Sequence, residues 1–203
     1  MGFLDSMKGI LNRSLKNGDA KKLINGVVDA AQAIGKGTNR SEKFKFTKLP
    51  TSLDELKALP EAKLDTAYKA AALTMAALCN FSKDPEATFA MLDFLKGPED
   101  VSEKEKQFIK DRLQDKEYLV FSYFEGATTA NNYKPSEPFT IKVSENPYSF
   151  DNENWATLYV ESSGADSPRP IKLRKKPSTG EWFLNDIQCL SDIRVPDEKN
   201  PWA

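Results

Sequence analysis

Apolar positions along this chain recur at helical spacing through the first 115 residues and at every second position from residue 118 onward. Phe3, Leu4, Met7, Ile10, Leu11 and Leu15 form one stripe of a helix over 3–16, with Lys8, Asn12, Arg13 and Lys16 opposite. Asn17-Gly18 closes it, because glycine tolerates the left-handed backbone of a helix C-terminus. Asp19 caps a second helix over 20–34, striped by Leu23, Ile24, Val27, Val28, Ala31 and Ile34, and Gly35-Lys36-Gly37 stops it. Residues 1–36 therefore predict an amphipathic helical hairpin arm. Residues 37–51 read as a linker with at most one short strand, where Phe44 and Phe46 alternate with Lys43, Lys45 and Thr47.

The rest, 52–203, reads as one α+β domain, with helices over 53–115 and strands over 118–195. Ser52-Leu53-Asp54-Glu55 matches a capping box and opens a short helix over 53–58, before Pro60. A longer helix over 61–80 carries Leu64, Tyr68, Ala71, Met75 and Leu78, and its Ala70–Cys79 stretch is apolar on nearly every side, which predicts burial. Asp84-Pro85 starts a helix that Gly97-Pro98 ends, and a second capping box at Ser102–Glu105 opens one running to about Gln114. Strands are predicted at 118–124, 138–143, 156–161, 170–176 and 181–185, the last two joined by Pro177-Ser178-Thr179-Gly180. The expected fold is α+β: an N-terminal helical hairpin, further helices, then a C-terminal antiparallel sheet of about five strands. No internal repeat is visible.

Charge modifies this picture locally. The whole chain carries a net charge of -1, but residues 1–40 hold seven bases and three acids, a net of +4 over that stretch. There is no specific nucleic-acid signal. No secretory leader is legible in residues 1–15, which Asp5, Lys8, Asn12 and Arg13 interrupt, and the longest apolar run is half a membrane span. The expected location is cytoplasmic. Cys79 and Cys189 are the only cysteines, and Cys79, in an apolar helical run, is expected to act as a small buried hydrophobe.

Candidate chemistry is sparse. The chain has no histidine, which removes the commonest general base and the commonest transition-metal ligand. Two distant cysteines do not make a zinc site, and no carboxylate pair stands out, so no catalytic residue, cofactor or metal is expected. Gly35-Lys36-Gly37-Thr38 echoes a phosphate-binding loop but follows a helix where that motif precedes one. Asp151-Asn152-Glu153-Asn154 lacks the glycine and final Glu of a calcium loop and reads as a solvated turn. Arg169, Lys172, Arg174 and Lys176 make one strand basic. They offer an anion or partner surface, or a solvated sheet face whose charges discourage edge-to-edge pairing. Trp155 and Trp182 are expected in the core.

Phe3, Leu4, Met7, Ile10, Leu11 and Leu15 are the candidate interaction residues. Such a basic amphipathic helix folds back or self-associates, docks on a protein partner, or contacts an anionic membrane peripherally. Met1–Ser6 also fits a myristoylation pattern.

Several segments carry a family resemblance: Ser122-Tyr123-Phe124 with Gly126-Ala127-Thr128, Asn131-Asn132-Tyr133, and Ser163-Gly164-Ala165-Asp166-Ser167-Pro168-Arg169-Pro170 leading into Ile171–Arg174. Gly180-Glu181-Trp182-Phe183-Leu184 follows, and then Arg194-Val195-Pro196 and Pro201-Trp202-Ala203. On these the last 80 or so residues resemble an uncharacterised bacterial protein family, of the domain-of-unknown-function kind. The resemblance implies a bacterial origin and no assigned activity. The terminal hairpin is also similar to that of the cone-shaped nuclear-transport-factor-like folds, which hold small ligands.

Three readings follow. The leading one is a non-enzymatic interaction or structural protein acting through its N-terminal amphipathic helices. The second is a small-ligand-binding domain with a pocket between the helices and a curved sheet. The third is a histidine-independent enzyme.

Overall fold

A computed structural model describes residues 39–202; the predicted hairpin over 1–36 lies outside them. In chain order the described elements are β1 (Ser41–Phe46), α1 (Leu53–Lys57), α2 (Ala67–Leu78), α3 (Pro85–Lys96), α4 (Glu103–Leu113), α5 (Tyr118–Phe121), β2 (Phe139–Ser144), β3 (Trp155–Val160), β4 (Arg169–Lys175) and β5 (Trp182–Ile187). Short 3-10 turns occur at Pro60–Lys63, Thr129–Asn131 and Asp197–Lys199.

The five strands form one antiparallel sheet in the order β1-β2-β3-β4-β5. Five strands were expected, but not these five. Tyr118–Phe121 is a helical turn, and only Phe124 makes an isolated bridge, to Ile141. Its apolar run is helical in burial, with Leu119, Val120, Tyr123 and Phe124 turned inward, and a short apolar run does not distinguish the two periods. The fifth strand is β1, in the supposed linker. It pairs with β2 from Ser41↔Ser144 to Phe46↔Phe139, across all the intervening helices. Phe44 and Phe46 point into the core from β1, while Lys43 and Lys45 face solvent.

The long helix predicted over 61–80 is broken. Leu64 adopts a left-handed φ of 51°, is buried, and accepts a hydrogen bond from the Trp182 N–H at 2.8 Å through its carbonyl. The chain therefore leaves the 3-10 turn to reach the sheet edge before Thr66 caps α2. α2 then lies across the inner face and touches all five strands. Ala70, Ala71, Leu73, Met75 and Ala76 are fully buried against Ile141, Val143, Leu158, Val160, Ile171 and Leu173. The alanines let the helix approach the sheet closely, and burying the larger side chains is worth about 1.5–3 kcal/mol each. α3 packs on α1, α2 and β5. Its N-cap Asp84, with Pro85 next, and the reciprocal Ser102–Glu105 capping box of α4 stand where the sequence puts them. The β4–β5 loop closes as expected, with Gly180 at φ +80° and its N–H donating to the Lys176 carbonyl at 2.8 Å.

Candidate functional site

Alternation along β4 divides the basic residues. Arg169 shares the parity of the core residues Ile171 and Leu173, whereas Lys172 and Arg174 face outward with Thr157 and Trp155 as register partners. Arg169 is a clamp: its guanidinium donates to the Asp192 carbonyl at 2.9 Å and to the Ser167 hydroxyl at 3.2 Å. The structure thus separates Arg169 from the other three candidates. It also removes the edge-protection explanation for the basic strand, since β4 lies between β3 and β5. The candidate stripe Phe3, Leu4, Met7, Ile10, Leu11 and Leu15 lies outside the described residues.

Trp155 was expected in the core and is 40% exposed instead. Strand alternation sends it outward, where the Arg174 guanidinium stacks over its ring at 5.2 Å. Arg174 also reaches towards Glu99 at 3.7 Å, which brings the outer sheet face up against the turn after α3. There, Lys96, Pro98, Glu99, Arg174, Lys176 and Phe183 line an open recess of about 250 Å³. Lys96 was missed in the sequence because its charge is unremarkable at the end of a helix. Only the tertiary approach of α3 to β5 brings it to the basic strand. By contrast, the space between α2 and the sheet, one place for the pocket of the second reading, is filled with side chains.

The segments that carry the family resemblance converge on another feature. The Tyr123 hydroxyl donates to the Cys189 carbonyl at 2.5 Å, and the Tyr133 hydroxyl to the Arg194 carbonyl at 2.8 Å. The Arg194 N–H returns a bond to the Gly164 carbonyl at 2.9 Å, and its side chain pairs with Asp166. The Ser122 and Ser162 hydroxyls, both buried, are 2.7 Å apart, and Ser162 accepts from the Gly164 N–H at 3.0 Å. Asn131 donates to the Gly126 carbonyl at 2.8 Å and accepts from the Thr128 N–H. The contacts of Tyr123, Tyr133, Gly164 and Asp166 fasten the segment after β5 to the body, and Tyr123, Tyr133 and Asn131 engage backbone carbonyls.

Burial raises the Tyr123 phenol well above its ordinary range. Tyr68 is raised likewise, first by burial and then by the Glu145 carboxylate that accepts its hydrogen bond. Cys79 is buried as expected, its thiol pushed up by desolvation, and burial pushes Cys189 up to about 12. Cys189 packs its sulfur 3.5 Å from that of Met75. Neither thiol forms a thiolate at neutral pH, so a thiol reagent at about pH 8 should label neither in the folded protein and both in denaturant. Stoichiometric labelling without denaturant would contradict this burial. Among the described residues no group of three or more acidic or cysteine side chains is placed to hold a metal ion, and no helix is long and apolar enough to cross a membrane.

A central helix on one face of a five-stranded antiparallel sheet, with the tail pinned by a polar clasp, defines an α+β domain. The chain belongs to a family known as a domain of unknown function, DUF6935, whose model matches residues 48–197. The match takes in α1 to β5 and the clasp, while β1 precedes it. No curated protein and no solved structure matches the chain.

Proposed function

We propose that this protein is non-catalytic and acts by association, with residues 39–202 as the scaffold and the N-terminal arm as the contact. The observation that carries the reading is how the scaffold closes its own core. α2 and the inner sheet face bury each other completely with residues from within 39–202. An apolar stripe of Phe3, Leu4, Met7, Ile10, Leu11 and Leu15 is not required to complete that core, and such a stripe left in water drives association. The clasp supports the same reading, because the Tyr123 and Tyr133 hydroxyls and the Asn131 amide of the shared pattern are committed to holding backbone. The arm's occupant on this reading is a second copy of the chain, helix against helix, with its basic residues on the outside.

The test uses the full chain. Wild type should sediment as an oligomer, and Ile10→Glu/Leu11→Glu as a monomer with an unchanged melting temperature. A monomeric wild type, or a variant that still assembles, defeats self-association. Co-sedimentation of wild type, but not of the variant, with anionic lipid vesicles would move the arm's contact to a membrane surface.

A further inference from the structure

We propose that the recess between the C-terminal end of α3 and the β4–β5 hairpin binds a small phosphate monoester that carries a flat apolar group. The recess holds about 250 Å³, room for such a molecule. Its cations come from two places far apart in sequence: Lys96 from α3, and Arg174 and Lys176 from β4 and its end, while Lys175 turns to the other face over the Trp182 ring. Glu105, which pairs with Lys96 at 2.5 Å, offsets one of the three, and Glu99 on the rim stands near Arg174. With Glu99 displaced, an excess of two positive charges remains, the charge complement of a phosphate dianion.

Arg174 and Lys176 are held ready without being used up. Arg174 is stacked on Trp155, and at 3.7 Å its approach to Glu99 is longer than a hydrogen bond. Lys176 makes no ion pair among the described residues. Phe183, the register partner of Arg174, supplies an apolar wall on the same outer face, which is why a bare anion does not exhaust the site. Glu99 is the group a ligand displaces: its carboxylate is mostly in solvent, and an arriving phosphate takes its place beside Arg174.

Amide-resolved titration of the full chain with phenyl phosphate, with chloride balancing ionic strength, tests the site. Saturable shifts should be confined to residues 96–99 and 174–185. Lys176→Gln, a substitution that breaks no ion pair among the described residues, should weaken binding about tenfold, the scale of one charge-assisted hydrogen bond. Glu99→Gln should tighten it severalfold, an effect that general salting cannot produce. Inorganic phosphate and phenol should each bind more weakly than the ester. Non-saturating shifts, or equal titrations of wild type, Lys176→Gln and Glu99→Gln, overturn the site. Equal affinity for inorganic phosphate overturns the role of Phe183.

Discussion

Gly97→Ala is expected to lower the stability of the scaffold by about 3–5 kcal/mol, a fall of roughly 10 °C in melting temperature. Two independent penalties meet at this position. Gly97 ends α3 at φ +74° and ψ -114°, a conformation that residues with a Cβ avoid. A Cβ there would also lie 2.4 Å from a ring carbon of Phe183, well inside contact distance. Gly180 isolates the cost of a positive φ, since its φ is +80° but an added Cβ meets nothing within 4 Å. Gly180→Ala should therefore cost only about 1 kcal/mol. Phe183→Leu in the Gly97→Ala background should recover part of the steric share and none of the backbone share. Urea denaturation of the four proteins measures each difference. If Gly97→Ala costs no more than Gly180→Ala, the α3 turn is not packed on β5 as described, and the recess beside it loses its wall.

The same contact shows where sequence reasoning reached and where it stopped. Local punctuation was legible: Asp84-Pro85, the Ser102–Glu105 box, Gly97-Pro98 and the Pro177–Gly180 loop all mark element ends in the structure, because caps and turns are encoded by neighbouring residues. The antiparallel sheet and the buried character of the Ala70–Cys79 helix were legible for a similar reason. What failed needed distant partners. Phe44 and Phe46 showed the alternation of a strand, but nothing nearby said that residues 139–144 would pair with them. Tyr118–Phe121 turns as a helix and not a strand, since a run to Phe124 that is apolar but for Ser122 carries little contrast from which to choose a period. Leu64 gave no sign that it would turn left-handed to offer its carbonyl to Trp182.

The candidate site divides along the same line. Placing Lys172 and Arg174 on one face and Ile171 and Leu173 on the other needed only strand alternation. Excluding Arg169 needed Asp192, and adding Lys96 needed the approach of α3 to β5, neither of which is local. The shared pattern was visible as a string of residues around Gly164 and Tyr133, while its role as a clasp depended on seeing that both reach Arg194.

The clasp makes the second large prediction, Gly164→Ala. An added Cβ would fall 2.1 Å from the Tyr133 hydroxyl oxygen and 2.8 Å from a methyl of Ile193. Tyr133 has no room to retreat: it is 1% exposed, its ring stacks on Tyr118 at 5.7 Å, and its N–H is held by the Thr128 carbonyl at 2.8 Å. Relief must come from the tail side. That breaks the Tyr133–Arg194 and Arg194–Gly164 hydrogen bonds together and costs about 2–4 kcal/mol. Because α2 and the inner sheet face do not depend on these bonds, the loss should be local. Hydrogen exchange at the Arg194 amide should accelerate by about two orders of magnitude or more while the α2 amides keep their protection. A protease should then cut between residues 190 and 200 in the variant before it cuts wild type. Uniform loss of protection across α2 would mean that the clasp and the core unfold as one unit. An Arg194 amide protected as in wild type would mean that Gly164 is not the point at which the tail is held.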